Sequence, residues 1–394
     1  MSDFSTEKEK GYTRTVQSLR ELIDIVTGRT FQANLPQQDA GLAEVLPFPF
    51  LALVGQFEMK LALLLAIINP LVNGVLLVGP RGTGKTTAAR SLIDLLPMIK
   101  RSLCFYGCLP EDIENGGMDS VCPDCAKKWA ENQPLTRAER VRLTELPLNS
   151  QLADVIGGLD ENAQAHIRTR IRRGILAHAD LNVLYADEVN MLADDITNAL
   201  LDASAAGTYT LRRALASATY RSRFTLIGSM NPEEGDLRPQ IMDRFGLRVI
   251  VRGLTQSEER FEAYRRARAY RLNPHGTVAQ FFEATAMARE EIQLARSILL
   301  RVEIPDPVSR LGITLIQKLE IDSLRAEITL FEAARAYAAA DGRTEVNPND
   351  LRLVAPMALR LRRSKFMLSY FERQTVEDQE VSQILDALIP VKEV

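Results

Sequence analysis

Histidine is almost missing from this sequence. The 394 residues hold three, His166, His178 and His275, with no ligand spacing among them. Cysteine is nearly as scarce: the four present, Cys104, Cys108, Cys122 and Cys125, fall in one short stretch, so any cysteine chemistry sits in a single place. Neither charge is in excess. Lys+Arg number 48 against 51 Asp+Glu, a net −3, which argues against nucleic acid or another polyanion as the partner of the chain as a whole. No apolar run reaches the length of a membrane span. LALLLAII at 61–68 stops at Asn69-Pro70 and reads as a buried helix. The first residues, MSDFSTEKEK, mix acid and base without an apolar signal core, so the chain is expected in the cytoplasm, with no membrane contact. Internal repeats and low-complexity tracts are also lacking.

What is present is a globular composition, 46% hydrophobic and 25% charged. The length predicts two domains rather than one core. Residues 1–45 read as a weakly packed extension with one helical stretch, Thr15–Thr27. From Phe48 onward the pattern alternates. A helix is expected over 55–68, a buried strand at VLLV (75–78), a helix over 85–96, and strands at VLYA (183–186) and FTLIG (224–228). That alternation predicts an α/β domain over 46–253, a parallel sheet flanked by helices. Residues 97–150 read as long and irregular. Beyond Gly253 only helical spacing remains, over 256–271, 278–301, 307–320, 322–340 and 349–371, so 254–394 is expected to be all-α. Gly342 fits a helix C-terminus, and Asn347-Pro348 or Asn349 a helix start. RFEAYRRARAYR (260–271) is basic but reads as a solvated helix face.

The chemistry concentrates in four stretches. Gly79-Pro80-Arg81-Gly82-Thr83-Gly84-Lys85-Thr86-Thr87 fits G-x-x-x-x-G-K-[ST], between a strand and a helix. Its glycines let backbone N–H groups cradle phosphates. Lys85 is placed to reach the β/γ-phosphates and the Thr86 hydroxyl to ligate Mg²⁺. VLYADEVN ends a buried strand in Asp187, a second Mg²⁺ holder through its water shell, and Glu188, which would polarise the attacking water. FTLIGSMN ends in Asn231, able to position that water. DLRPQIMDRFG supplies Arg244, a candidate for the cation that stabilises the transferring phosphoryl group, held by Asp243 and Phe245, with Arg238 at the same interface. A guanine-reading NKxD-like segment is lacking, which excludes a GTP switch.

GPRGTGKT, YADEVN, GSMNPEEGDLRPQIMDRFG and SLRAEITLFEAARA closely resemble the AAA+ ATPase subunit I of magnesium chelatase, over roughly residues 46–373. The third string is the most specific. The resemblance implies a P-loop AAA+ domain followed by an all-α lid domain, with ATP and Mg²⁺ as cofactors. By position, Asn231 resembles sensor 1, Arg244 the arginine finger that enters the neighbouring subunit's site, and Arg325 the sensor-2 arginine that contacts the nucleotide from the lid. Val54-Gly55-Gln56 resembles the segment beside the adenine. Residues 207–224 correspond to the family's β-hairpin and 146–160 to its helix-2 insertion. The implied assembly is a homo-oligomeric ring, taken as a hexamer. It works with a von Willebrand type A domain AAA+ subunit and a porphyrin-binding large subunit, and ATP turnover drives Mg²⁺ into protoporphyrin IX. This chain has neither a DxSxS metal-adhesion motif nor an evident porphyrin pocket, so those parts belong to other proteins. The alternatives are a MoxR-like or cobalt-chelatase-type motor for another metal-cofactor enzyme, and a DNA-dependent motor, against which the acidic balance speaks.

Two segments depart from the family: residues 1–45, and CFYGCLPEDIENGGMDSVCPDC within 101–130. Cys104-x₃-Cys108-x₁₃-Cys122-x₂-Cys125 has the ingredients of a four-thiolate structural zinc site. Reduced thiols, a redox pair and an iron–sulfur cluster stay open as alternatives.

Overall fold

The computed structural model describes residues 46–104, 107–159, 171–213 and 216–363. The chain divides into compact units at Leu46/Pro47, and every element below belongs to the second. The expected helix at Thr15–Thr27 lies outside the described residues.

In the first part of this unit, α1 (Phe57–Ile68) is apolar almost all round and buries Leu63, Leu65 and Ile67. It leads through a turn to β1 (Val75–Val78). The P-loop follows, then α2 (Lys85–Ser91), which tightens into a 3₁₀ turn over Leu92–Leu95. The described residues of the segment read as irregular, 97–150, form regular elements. β2 (Met98–Ser102) pairs antiparallel with β3 (Thr136–Arg140), and between them lie α3 (Pro110–Gly116) and α4 (Pro123–Ala130). Its strands, MIKRS and TRAER, are too charged to register as buried β-structure.

Next come β4 (Leu143–Leu146), α5 (Leu152–Ile156), β5 (Gly157–Leu159), β6 (Ile171–Arg173), α6 (Ile175–His178), β7 (Val183–Ala186) and α7 (Asp194–Ala206). β8 (Thr208–Arg213) and β9 (Ala216–Arg221) form the hairpin implied for 207–224. β10 (Thr225–Met230), α8 (Pro239–Met242) and β11 (Leu247–Ile250) complete the α/β part. The helical part contains α9 (Ser257–Leu272), α10 (Pro274–Gln280), α11 (Phe282–Leu299), α12 (Asp306–Lys318), α13 (Leu324–Ala340) and α14 (Pro348–Leu359). Asn347 caps α14 through the N–H groups of Asn349 and Asp350, and Gly342 follows α13 at φ +71°. The reading of a helix over 349–371 needs correction. α14 stops at Leu359, and Leu361 takes φ +58°. The turn carries the buried Arg362 guanidinium back to the Asp243 carboxylate at 2.7 Å and the Gly246 carbonyl at 3.0 Å.

The main sheet has five parallel strands in the order β11-β1-β10-β7-β4. Side chains alternate between its faces. Val75, Leu77, Val183, Tyr185 and Ile227 pack in one core with α1, α2 and with Ile292, Leu330 and Val354 of the helical part. Leu76, Leu184, Ala186 and Leu226 pack on the other side with Leu200, Leu201 and Phe245. Both faces are covered, which is why the central strands are continuous apolar runs. β4 and β11 did not stand out in sequence because Glu145 interrupts one and Arg248, fully buried, the other.

Gly246 lies where β11 starts, with its N–H donating to Asn73 O at 3.1 Å. A Cβ there would stand 1.6 Å from Val72 O, a backbone atom that cannot step aside. Gly246→Ala is expected to destabilise the fold by at least about 2 kcal/mol. Urea denaturation checks this, and an unchanged midpoint would contradict the packing at this strand.

Candidate active site

The carboxyl ends of β1, β7 and β10 lie together in the parallel register, and ligands of open α/β sheets bind at that edge. The P-loop leaves β1 there. Gly82 and Gly84 take φ +77° and +88°, conformations that favour glycine, and a Cβ on either would meet nothing within 4 Å. The loop is thus an open backbone cradle. Lys85 begins α2, and its Nζ donates to the carbonyls of Gly79 at 2.6 Å and Pro80 at 2.8 Å. Burial lowers its pKa. Thr83 Oγ1 also donates to Pro80 O, while Thr87 is exposed on the first turn of α2. Gln56, in the segment matched to the adenine side, donates to Arg252 O at 2.6 Å just beyond β11, which puts it at the same edge.

Asp187 follows β7 directly. Its carboxylate is reached by Thr86 Oγ1 at 3.4 Å and Tyr185 OH at 2.9 Å, and by a short hydrogen bond from Ser229. Tyr185 also meets Thr86 Oγ1 at 3.0 Å. One half-buried carboxylate beside one hydroxyl suits Mg²⁺, which keeps several of its waters. Tyr185 and Ser229 were not singled out in sequence. The signal was there: Tyr185, in β7, is two residues before Asp187 just past the strand's end, a spacing that puts both on one side of extended chain. Burial pushes the Tyr185 hydroxyl pKa up, so it remains a neutral donor.

Glu188 has left-handed backbone geometry, φ 49° and ψ 52°, unusual for a side-chain-bearing residue and costly by about 1–3 kcal/mol. Its N–H donates to Ser229 Oγ at 3.2 Å. Exposed Arg81 bridges Glu188 at 3.0 Å and Glu234 at 2.5 Å, with Glu234 the larger cause of its raised pKa. Asn231 is buried, and its Nδ2 donates to Glu234 at 3.2 Å. Lys85, Thr86, Asp187, Glu188 and Asn231 therefore converge on one edge.

The description "AAA domain (dynein-related subfamily)" matches residues 74–245, and "AAA lid domain" matches 313–384. The magnesium-chelatase 38 kDa subunit of Acidiphilium rubrum is 41% identical over 80% of this chain and 90% of its own. A magnesium-chelatase subunit ChlI homolog of Methanocaldococcus jannaschii is 40% identical over 84% and 90%. The chain belongs to the magnesium chelatase subunit I family. A cryo-EM-based structure of the complex between subunits BchI and BchD of magnesium chelatase is 38% identical, covering 81% of this chain and 96% of that one, at a TM-score of 0.47.

In this magnesium chelatase I-type subunit the arginines lie at the other edge of the sheet. β11 runs parallel to β1, so Arg244, three residues ahead of β11, stands at the amino ends of the strands. Asn73, just before β1, donates to its carbonyl at 3.3 Å. Arg325, in the first turn of α13, is at the same edge, 3.2 Å from Asp243. Arg244 and Arg325 share a cavity of about 820 Å³ with Asn182 and Thr225, which flank the starts of β7 and β10. One expectation needs correction. Arg244 is not held by Asp243 but pairs with exposed Asp202 on α7 at 2.6 Å. Asp243 instead serves Arg248, Arg325 and Arg362, since the two buried guanidiniums among these need a counter-charge. Phe245 is buried under Gly228. Arg238 pairs with Asp194 at 2.7 Å, well exposed.

Proposed function

We propose that this chain is the ATP-hydrolysing motor of a magnesium chelatase, acting in a ring with the nucleotide between subunits. The observation that carries the reading is the division of the machinery over two ends of one parallel sheet. The phosphate cradle, Asp187, Glu188 and Asn231 stand at the carboxyl ends, while Arg244 and Arg325 stand at the amino ends. A cation at the far end cannot serve its own P-loop. A ring, taken as a hexamer, brings one subunit's arginine edge to the next subunit's cradle.

Each residue then has a task. The P-loop N–H groups and Lys85 hold the phosphates. Thr86 and Asp187 hold the Mg²⁺ that accompanies ATP and offsets phosphate charge. Tyr185 and Ser229 fix the Asp187 carboxylate. Glu188 orients and polarises the attacking water, with Asn231 beside it. Arg244 and Arg325 of the neighbouring subunit stabilise charge on the transferring phosphoryl group. Porphyrin binding and metal insertion fall to a von Willebrand type A domain AAA+ subunit and a large porphyrin-binding subunit, all working in the cytoplasm. Among the described residues, no helix is long and apolar enough to cross a membrane.

The test is reconstitution. The chain, mixed with those two partners, Mg²⁺, ATP and protoporphyrin IX, should yield the fluorescence of the magnesium porphyrin, and none without ATP. ATP turnover with no chelation in the complete mixture would reject the chelatase reading while leaving the ATPase. In a parallel mixture supplied with Co²⁺, ATP-dependent insertion of cobalt but not of magnesium would favour the cobalt-chelatase alternative.

A further inference from the structure

We propose that Cys104, Cys108, Cys122 and Cys125 hold one Zn²⁺ as four thiolates, and that this ion fixes the root of the β8–β9 hairpin through Arg221. The four Sγ atoms all lie within 4.8 Å of one another. Cys104 is 3.7 Å from Cys108 and 3.5 Å from Cys122, sulfur to sulfur. Tetrahedral zinc with Zn–S near 2.3 Å separates its sulfurs by about 3.8 Å. A disulfide would need about 2.05 Å, and none joins these residues.

The backbone is arranged for such a site. Gly107, at φ +77°, turns the chain between the first two cysteines. Cys122 is the N-cap of α4 and Cys125 lies in its first turn. The Cys122 N–H donates to Cys108 Sγ at 3.4 Å, the kind of bond a thiolate accepts. Ser102 Oγ donates to Cys108 O at 2.6 Å and accepts from Cys104 N–H at 3.1 Å, tying the first pair of ligands to the end of β2.

The insert also needs a staple. Among the described residues its small core gathers Cys108, Ile113, Cys125 and Leu135, with Val121 and Trp129 packed at the side and Leu109 buried nearby. A core this small is a weak offset to the entropy of ordering the segment, and small modules of this kind draw on a metal or on disulfides. Zinc binding displaces four thiol protons and adds its binding energy to folding.

The staple reaches outward through one residue. Arg221, at the end of β9, donates to Gly107 O at 3.0 Å and pairs with Asp112. The other Asp112 oxygen accepts the Leu109 N–H at 2.8 Å and so starts α3. Arg221 thus holds both the turn between two ligands and the first turn of the helix that follows. Directly after this hairpin the chain enters β10, the strand that ends at Asn231.

The experiment uses the full chain purified without added metal. Elemental analysis should find about one zinc per chain, with the four thiols shielded from a thiol reagent until a mercurial releases the metal. Zinc below about 0.2 per chain with four titratable thiols would overturn the site. So would iron with visible absorbance, or a disulfide seen by mass. Hydrogen exchange then tests the coupling. Arg221→Ala should keep its zinc and exchange about tenfold faster over 208–221 only. Zinc removal from the wild type should speed exchange over both 101–135 and 208–221. If stripping zinc leaves 208–221 as protected as before, the hairpin link is wrong even where zinc is present.

Discussion

Glu188→Gln should bind ATP about as well as the wild type and turn it over roughly 10²–10⁴-fold more slowly. The carboxylate and the amide are the same size, and the Ser229 bond is made by the Glu188 backbone N–H, so the turn should survive. What is lost is the base. Left-handed backbone at this one residue aims the side chain from the strand end toward the P-loop, where Arg81 already meets it. An amide can occupy that place but cannot take a proton from water. Lys85→Ala should fail differently, by losing nucleotide affinity. Binding of a fluorescent ATP analogue, followed by single-turnover hydrolysis, separates the two defects. Single-turnover hydrolysis by Glu188→Gln near the wild-type rate would reject the base assignment.

Arg244→Ala should leave nucleotide binding and folding largely intact and lower turnover by about 10³-fold or more. Its pairing with Asp202 is exposed on the acid side, so little stability goes with it. The defect should be shared between subunits. Mixing Arg244→Ala with Lys85→Ala should restore part of the activity, because a mixed ring places the intact arginine of one variant against the intact cradle of the other. Native mass spectrometry can verify that mixed rings form. Mixed rings without recovered turnover at any ratio would show that Arg244 acts elsewhere.

Much of this was legible in the residues. VLLV and VLYA are short apolar runs bounded by turn residues, and both are strands of the stated length. The motif at 79–87 carries its own context, a strand before and a helix after. What escaped notice depends on partners far along the chain. Arg248 looks like a charge that should end a strand. It is tolerated inside β11 because Asp243 and the Arg360 carbonyl receive it. The same carboxylate is claimed by Arg362 from 119 residues away, and so Arg244 turned to Asp202. The insert was opaque for another reason: its order rests on cysteines and a charged two-stranded ribbon rather than on an apolar pattern. No sequence spacing states at which end of the sheet an arginine will stand. That came only from the parallel register of β1 and β11.

The core shared by the sheet and the helices after residue 253 limits how this machine can move. Arg296 closes the end of α1 by donating to Ile67 O at 2.6 Å, Arg289 reaches Asp94 O, and Asn69 reaches Glu332. A jaw needs a thin hinge between two separately packed halves, and here the two halves are one packed body on that face of the sheet. Opening such a jaw would strip apolar surface from Val75, Leu77 and Tyr185 at every stroke. In the ring proposed above, a displacement driven by phosphate release would therefore fall between subunits, each turning as a rigid tooth against the next, rather than within one chain.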